Sequence, residues 1–172
     1  TMKNYWFYVL GIFVVVAACR KENNSTSNND EFLIRGNKYV LNWSDEFEYN
    51  GLPDSTKWSY ETGYVRNNET QYYTDKRIEN CHVYDGVLHI IARNDTFEEH
   101  PVSSASIETL GKKDFLYGLI EVRAKMPHLG GGTWPAIWMV GVNRAQVGWP
   151  KCGEIDIVEW IGNAPFVALG SL

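Results

Sequence analysis

The run Lys151-Cys152-Gly153-Glu154-Ile155-Asp156-Ile157-Val158-Glu159-Trp160 places three carboxylates inside a segment otherwise suited to a β-strand. Ile155, Ile157 and Val158 are β-branched, which favours strand over helix. Strand side chains alternate between two faces, so Glu154 and Asp156 share one face and Ile155 and Ile157 the other. Strict alternation would turn Glu159 away from the other acids. One β-bulge near Ile157-Val158 restores parity and brings Glu159 beside Asp156 and Glu154. Like charges so close repel and resist ionising together. Glycoside hydrolysis exploits that conflict, because it needs one ionised and one protonated carboxyl across a sugar bond. Taken alone, the spacing also fits a half-exposed strand solvated on one side. It fits a calcium site less well, since calcium takes more oxygen ligands, spread over a loop.

The neighbouring sequence is rich in aromatic rings. Trp134, Trp138, Trp149 and Trp160 come from a total of seven tryptophans. Aromatic faces stack on the C–H faces of sugars, and they also fill cores. Trp134 and Trp138 are four apart and would share a face of one strand. One is expected to line a cleft and the other to be partly core. Gly130-Gly131-Gly132 reads as a turn or a close backbone approach. It is not a phosphate loop, because no Lys-Ser or Lys-Thr follows it.

These segments, with others upstream, resemble glycoside hydrolase family 16 in its laminarinase-like, endo-β-1,3-glucanase branch. The matching pieces occur in family order. Trp43-Ser44-Asp45-Glu46-Phe47 with Trp58 is similar to the opening strand and the loop after it. Asn67-Asn68-Glu69-Thr70-Gln71-Tyr72-Tyr73-Thr74 resembles the N-N-E-x-Q-Y-Y-T segment. Val83 to Ile90 fits the V-x-D-G-x-L-x-I hairpin. Phe115 to Pro127 is similar to the strand before the tryptophan segment, and Trp134 to Met139 and Gly148 to Glu159 complete the match. The resemblance implies an all-β fold, a concanavalin-like jelly-roll sandwich of two antiparallel sheets. It also implies Glu154 as nucleophile, Glu159 as general acid and then base, and Asp156 as the group orienting the nucleophile. That is the retaining arrangement, with carboxyls about 5–5.5 Å apart. Asn67, Trp134 and Trp138 correspond to sugar-contacting positions. Glu46 lies where some members help bind a structural calcium; no cofactor is required for the chemistry.

Two departures stand out. Where the family commonly has a substrate-contacting arginine in S-A-R-I, this chain reads Ser104-Ala105-Ser106-Ile107; where Tyr-Gly-Arg is frequent, it reads Tyr117-Gly118-Leu119. Losing a guanidinium removes charge-assisted hydrogen bonds, which bears on the glycan more than on the reaction class. The final run, Val167 to Leu172, resembles the strand leading into a cleft histidine. The jelly roll is therefore expected to be incomplete in this chain, truncated at its C-terminal end.

The N-terminal part reads as an address. Lys3 precedes the apolar run Tyr5 to Ala18, a secretory pattern shorter than the about 20 residues a transmembrane helix needs. Val16-Ala17-Ala18-Cys19 is similar to a lipobox, implying a lipoprotein signal over residues 1–18 and lipidation of Cys19. Arg20-Lys21-Glu22 resembles surface-export signals of some outer-membrane lipoproteins. Residues 19–31 read as a polar tether that cannot join a core, and 32–172 as the catalytic domain. The expected setting is the bacterial cell envelope, with a membrane anchor, a polysaccharide substrate and a monomeric protein. The net charge of −5 argues against nucleic acid. Strand-like runs include Tyr39-Val40-Leu41, Val87 to Ile91 and Leu119 to Arg123. Export would permit a Cys81–Cys152 disulfide, though sequence does not show whether the two approach. Cys152 otherwise reads as a buried strand residue. His82, His89, His100 and His128 lack metal-ligand spacing.

The expected function is endo-hydrolysis of β-1,3-glucan with retention. An algal galactan such as agar or carrageenan, or a mixed-linkage glucan, would suit the same fold and mechanism. A non-catalytic glycan-binding lipoprotein is the alternative from another class.

Overall fold

The computed structural model describes residues 7–10, 31–127, 131–164 and 167–172. Cys19, its tether up to residue 30, His128 and Gly130 lie outside the described residues. In chain order the elements are β1 (Phe7–Leu10), β2 (Glu31–Ile34), β3 (Asn37–Val40), β4 (Ser59–Glu61), β5 (Tyr72–Tyr73), β6 (Cys81–Tyr84) and β7 (Val87–Ile90). They continue with β8 (Ser103–Ser104), β9 (Ser106–Glu108), β10 (Ala124–Lys125), β11 (Ala136–Val140), a single helical turn α1 (Arg144–Val147), β12 (Glu154–Trp160) and β13 (Ala168–Ser171). The strands pair as β10-β1-β7-β6, as β11-β12-β13, and as the pairs β2-β3, β4-β9 and β5-β8. All pairings are antiparallel except β5-β8.

The β6–β7 hairpin is specified by its turn. Asp85 and Gly86 both have positive φ, 52° and 71°, the backbone that matches strand twist in a two-residue hairpin. With the turn fixed, Val83 faces Leu88 and Cys81 faces Ile90. Cys81, Val83 and Leu88 join Phe47 and Ala105 in the core, with Tyr49, Trp58, Tyr60, Ile90 and Ile107 packed around them. The Cys81 and Cys152 thiols are both free; burial pushes that of Cys81 up to about 12.

Beside this core lies a buried polar hub. Asn80 is fully buried; its amide donates to Ile91 O at 2.9 Å and Ser103 Oγ at 3.0 Å. Its carbonyl oxygen accepts from Arg77 at 2.8 Å and Thr74 Oγ1 at 3.1 Å. All four capacities of one side chain tie β6, β7 and β8 together. Arg77, Arg93 and Ser103 also hold Asp95. Burial opposes ionisation of Asp95, but those hydrogen bonds outweigh it and lower its pKa from 3.8 to about 2.

Three expectations from sequence are corrected. Leu119 to Arg123 is not a strand: no ladder partner reaches it among the described residues, Leu119 is 49% and Ile120 40% exposed, and pairing begins only at Ala124. Extended propensity without a neighbour's hydrogen bonds does not make a sheet. Trp43 to Phe47 is also irregular, since Phe47 has a φ of 56°, outside the extended region. It is fixed instead by Asp45, which accepts from Trp58 Nε1 at 2.8 Å and Tyr49 Oη at 3.0 Å. Cys152 lies in the turn before β12 and is half-buried rather than a buried strand residue.

Replacing Asn80 with Ala leaves several buried groups unsatisfied and should lower the unfolding free energy by about 2–3 kcal/mol, read from urea denaturation. The Asp95 contribution has a defined pH dependence. A depressed folded pKa stabilises above the ordinary value, and that stability is lost as pH falls through the folded pKa. Asp95→Asn should therefore lower Tm at neutral pH, and the gap from wild type should close between about pH 4 and pH 2. A gap independent of pH over that range would contradict the assignment.

Candidate active site

The three acids lie on β12, between β11 and β13. In the β11–β12 ladder Ala136 faces Glu159, Trp138 faces Asp156 and Val140 faces Glu154. Ala136, Trp138 and Val140 alternate along β11 and so share a face. Cross-strand partners project to the same side, so Glu154, Asp156 and Glu159 share that face as well. The register shifts between Ile137 and Trp138, which face Val158 and Asp156, leaving Ile157 as the extra residue. The β12–β13 ladder shifts over the same stretch, with Asp156 facing Ser171 and Glu159 facing Leu169. The bulge is thus registered against both neighbours. On the reverse face Ile155 and Ile157 are 45% and 37% exposed.

Partner side chains orient two of the acids. Ser171 donates its hydroxyl to Asp156 Oδ2. Trp134 donates Nε1–H to Glu159 Oε1 at 3.2 Å. Trp134 lies just before β11 and is 64% exposed, a rim position for stacking. Trp138 is half-buried, with the Arg66 guanidinium carbon 5.2 Å from its ring centroid. Trp160, the ring at the end of β12, is buried. Asn67 is exposed in a tight turn with Asn68, φ 53° and 51°, closed by Glu69 N donating to Arg66 O at 3.1 Å. That turn carries Arg66 to Trp138 and places Asn67 next to it in the chain.

Glu46 stands next to Asp45 at the start of the described domain. Among the described residues no group of three or more His, Cys, Asp or Glu side chains is placed to hold a metal, and the adjacent Asp45 is engaged by protein donors.

Arg66, Ser171 and Glu61 belong to the surroundings of this face and were not singled out by sequence reasoning. A signal near them was Ser106, one of two positions where the resembled family commonly has an arginine.

The connection from β11 to β12 is tightly closed. Gly141 N donates to Gly153 O at 3.2 Å, and a Cβ added at Gly141 would lie 2.1 Å from Cys152 O. Arg144 on α1 reaches Glu108 at 2.8 Å, fixing this connection to β9. Gly141→Ala should lower the unfolding free energy by about 1–3 kcal/mol, measured by urea denaturation. An unchanged midpoint would mean that the connection is not closed there.

The family model described as "XgeA-like, catalytic GH16 domain" matches residues 47–168. The "Beta-glucanase" of Rhodothermus marinus is 49% identical over 139 residues, 78% of this chain and 48% of that protein. The "Glucan endo-1,3-beta-glucosidase A1" of Niallia circulans is 39% identical over 149 residues, 77% of this chain and 21% of that protein. The chain thus spans under half the length of these two relatives. The solved structure of the laminarinase from Rhodothermus marinus superposes with a TM-score of 0.72 at 49% identity, covering 76% of this chain and 53% of that one. The strand-built architecture is the all-β jelly-roll class that the sequence implied. With the acids, the bulge and the aromatic face in place, the chain belongs to glycoside hydrolase family 16 as part of its catalytic domain.

Proposed function

We propose that the protein is a retaining endo-glycosidase that hydrolyses internal β-1,3-glucosidic bonds of laminarin-type glucans. The observation that carries this reading is the bulge at Ile157, which puts Glu154, Asp156 and Glu159 on one face with Trp138 opposite Asp156. The linkage is supported by relatives named as laminarinase and glucan endo-1,3-β-glucosidase.

The steps follow from the order of groups along β12. The Glu154 carboxylate attacks the anomeric carbon while Glu159 gives its proton to the departing glycosidic oxygen, and a glycosyl ester forms on Glu154. Glu159, now a carboxylate, takes a proton from water. The water oxygen bonds to the anomeric carbon and Glu154 leaves as carboxylate. Asp156 stands between the two in sequence and on their face, and orients the nucleophile. Its own orientation is set by the Ser171 hydroxyl. The Trp134 N–H on one Glu159 oxygen fixes the carboxyl plane. Trp134 and Trp138 offer ring faces to sugar, and Asn67, exposed in the turn after Arg66, adds a polar contact. Neither step calls for a cofactor.

The address is proposed from sequence alone: export, cleavage before Cys19, which removes the β1 segment and leaves β7 and β10 without that neighbour, and a lipid on the Cys19 thiol hold the enzyme at a membrane of the bacterial cell envelope. Two acyl chains or an acyl chain with a second signal give stable attachment. Cys19→Ala should move the protein from the membrane fraction to the soluble fraction; retention at the membrane would contradict the anchor.

The activity is tested by reducing-sugar release from laminarin, lichenan, agarose and carrageenan by the full-length protein. Laminarin should be cleaved, and Glu154→Gln should cut turnover by at least about a thousandfold, about 4 kcal/mol in barrier, with glucan binding retained. Release only from a galactan would overturn the substrate. Binding without release from any of the four would indicate a capture protein.

A further inference from the structure

A compact ionic cluster reaches Trp138, the cross-strand partner of Asp156. Glu61 ends β4 and faces Ser106 on β9. The Ser106 hydroxyl donates to Glu61 Oε2 at 2.7 Å, and Arg66 pairs with the same oxygen. Arg144 reaches Glu61 Oε1 at 3.5 Å and Glu108 Oε2 at 2.8 Å. The Glu61 side chain is only 9% exposed. Burial opposes its ionisation, but hydrogen bonds from Arg66 and Ser106 and the charges of Arg66 and Arg144 outweigh burial and hold its pKa below the ordinary range.

Arg66 does more than neutralise this carboxylate. Its guanidinium carbon stands 5.2 Å from the Trp138 ring centroid and 5.7 Å from that of Tyr73. Trp138 is the cross-strand partner of Asp156, so the cation lies over the ring beside the central acid. The side chain keeps 23% exposure, and a guanidinium carries five N–H donors in a fixed fork. The Arg66 carbonyl is held in the Asn67-Asn68 turn, which fixes the base of the side chain. Because Arg144 also spans Glu61 and Glu108, the buried carboxylate keeps a cationic partner when Arg66 turns a donor to a ligand.

We propose that Arg66 is a guanidinium that binds sugar hydroxyls at the face carrying the three acids, with Glu61 and Ser106 as its socket. It comes to this face from the Asn67-Asn68 turn, while Ser106 lies on β9. This rests on the glycosidase reading above. The small Ser106 side chain is then a required complement: an arginine there would compete with Arg66 for Glu61.

The test is steady-state kinetics of the full-length protein on whichever of the four glycans it cleaves. Arg66→Ala should raise KM about 10- to 100-fold, the loss of a charge-assisted hydrogen bond, with kcat changed less than about threefold and the pH profile unmoved. Arg66→Lys, which keeps the charge but not the fork, should fall between. Restoring a guanidinium with Ser106→Arg in the Arg66→Ala background should return KM toward wild type. If Arg66→Ala does not fold, Arg66→Lys carries the test: raised KM at unchanged Tm supports the assignment. KM within about twofold of wild type in either single variant, with or without a fall in Tm, would make Arg66 structural and overturn it. A wild type inactive on all four glycans would remove the glycosidase reading and this proposal together. An active wild type indifferent to Arg66 would remove only the proposal.

Discussion

The site depends on one extra residue. Regular pleating of β12 would send Glu159 to the face occupied by Ile155 and Ile157. The bulge at Ile157 prevents that, and it is locked from both sides. The β11 ladder skips a residue between Ile137 and Trp138, and the β13 ladder skips over the same stretch. A strand slip would therefore have to break pairing with two neighbours at once, and a one-residue slip reverses every side chain. Three carboxylates on one face are electrostatically unfavourable. Their retention needs donors on the same face, which Ser171 and Trp134 supply.

A second constraint joins the acids to the rest of the domain. The β4–β9 pair has no strand neighbour in common with β11–β12; charge links them. Glu61, Ser106 and Glu108 line one face of β4–β9, and Arg66 and Arg144 meet them from the Asn67 turn and from α1. Arg144 comes from the β11–β12 connection, which Gly141 allows to close without a side chain in the way. Partly buried pairs of this kind are sensitive to loss of one partner, because the remaining charge is left uncompensated.

Much of the site was legible before any coordinates. The acids and the need for a bulge follow from strand parity, a local property, and the Val83 to Ile90 hairpin followed from the family resemblance. Leu119 to Arg123 and Trp43 to Phe47 misled for a physical reason. Branched and aromatic residues record a preference for extended backbone, but a strand exists only where a partner supplies hydrogen bonds, and Phe47 leaves the extended region altogether. The roles of Arg66 and Ser171 were not legible because they rest on contacts between residues far apart in sequence, such as Ser171 with Asp156 and Arg144 with Glu61. Ser106 stood out only through the family resemblance; in the fold its hydroxyl meets Glu61, which also pairs with Arg66.

The central claim is that Glu154 and Glu159 face one sugar bond closely enough for direct attack by one and proton transfer by the other. The anomer first released from a β-1,3-glucan, followed by proton NMR before mutarotation, tests this most directly. Two displacements at the anomeric carbon predict the β-anomer as the initial product. The α-anomer would mean a single displacement by water, with the carboxyls too far apart for Glu154 to attack, and would contradict the account.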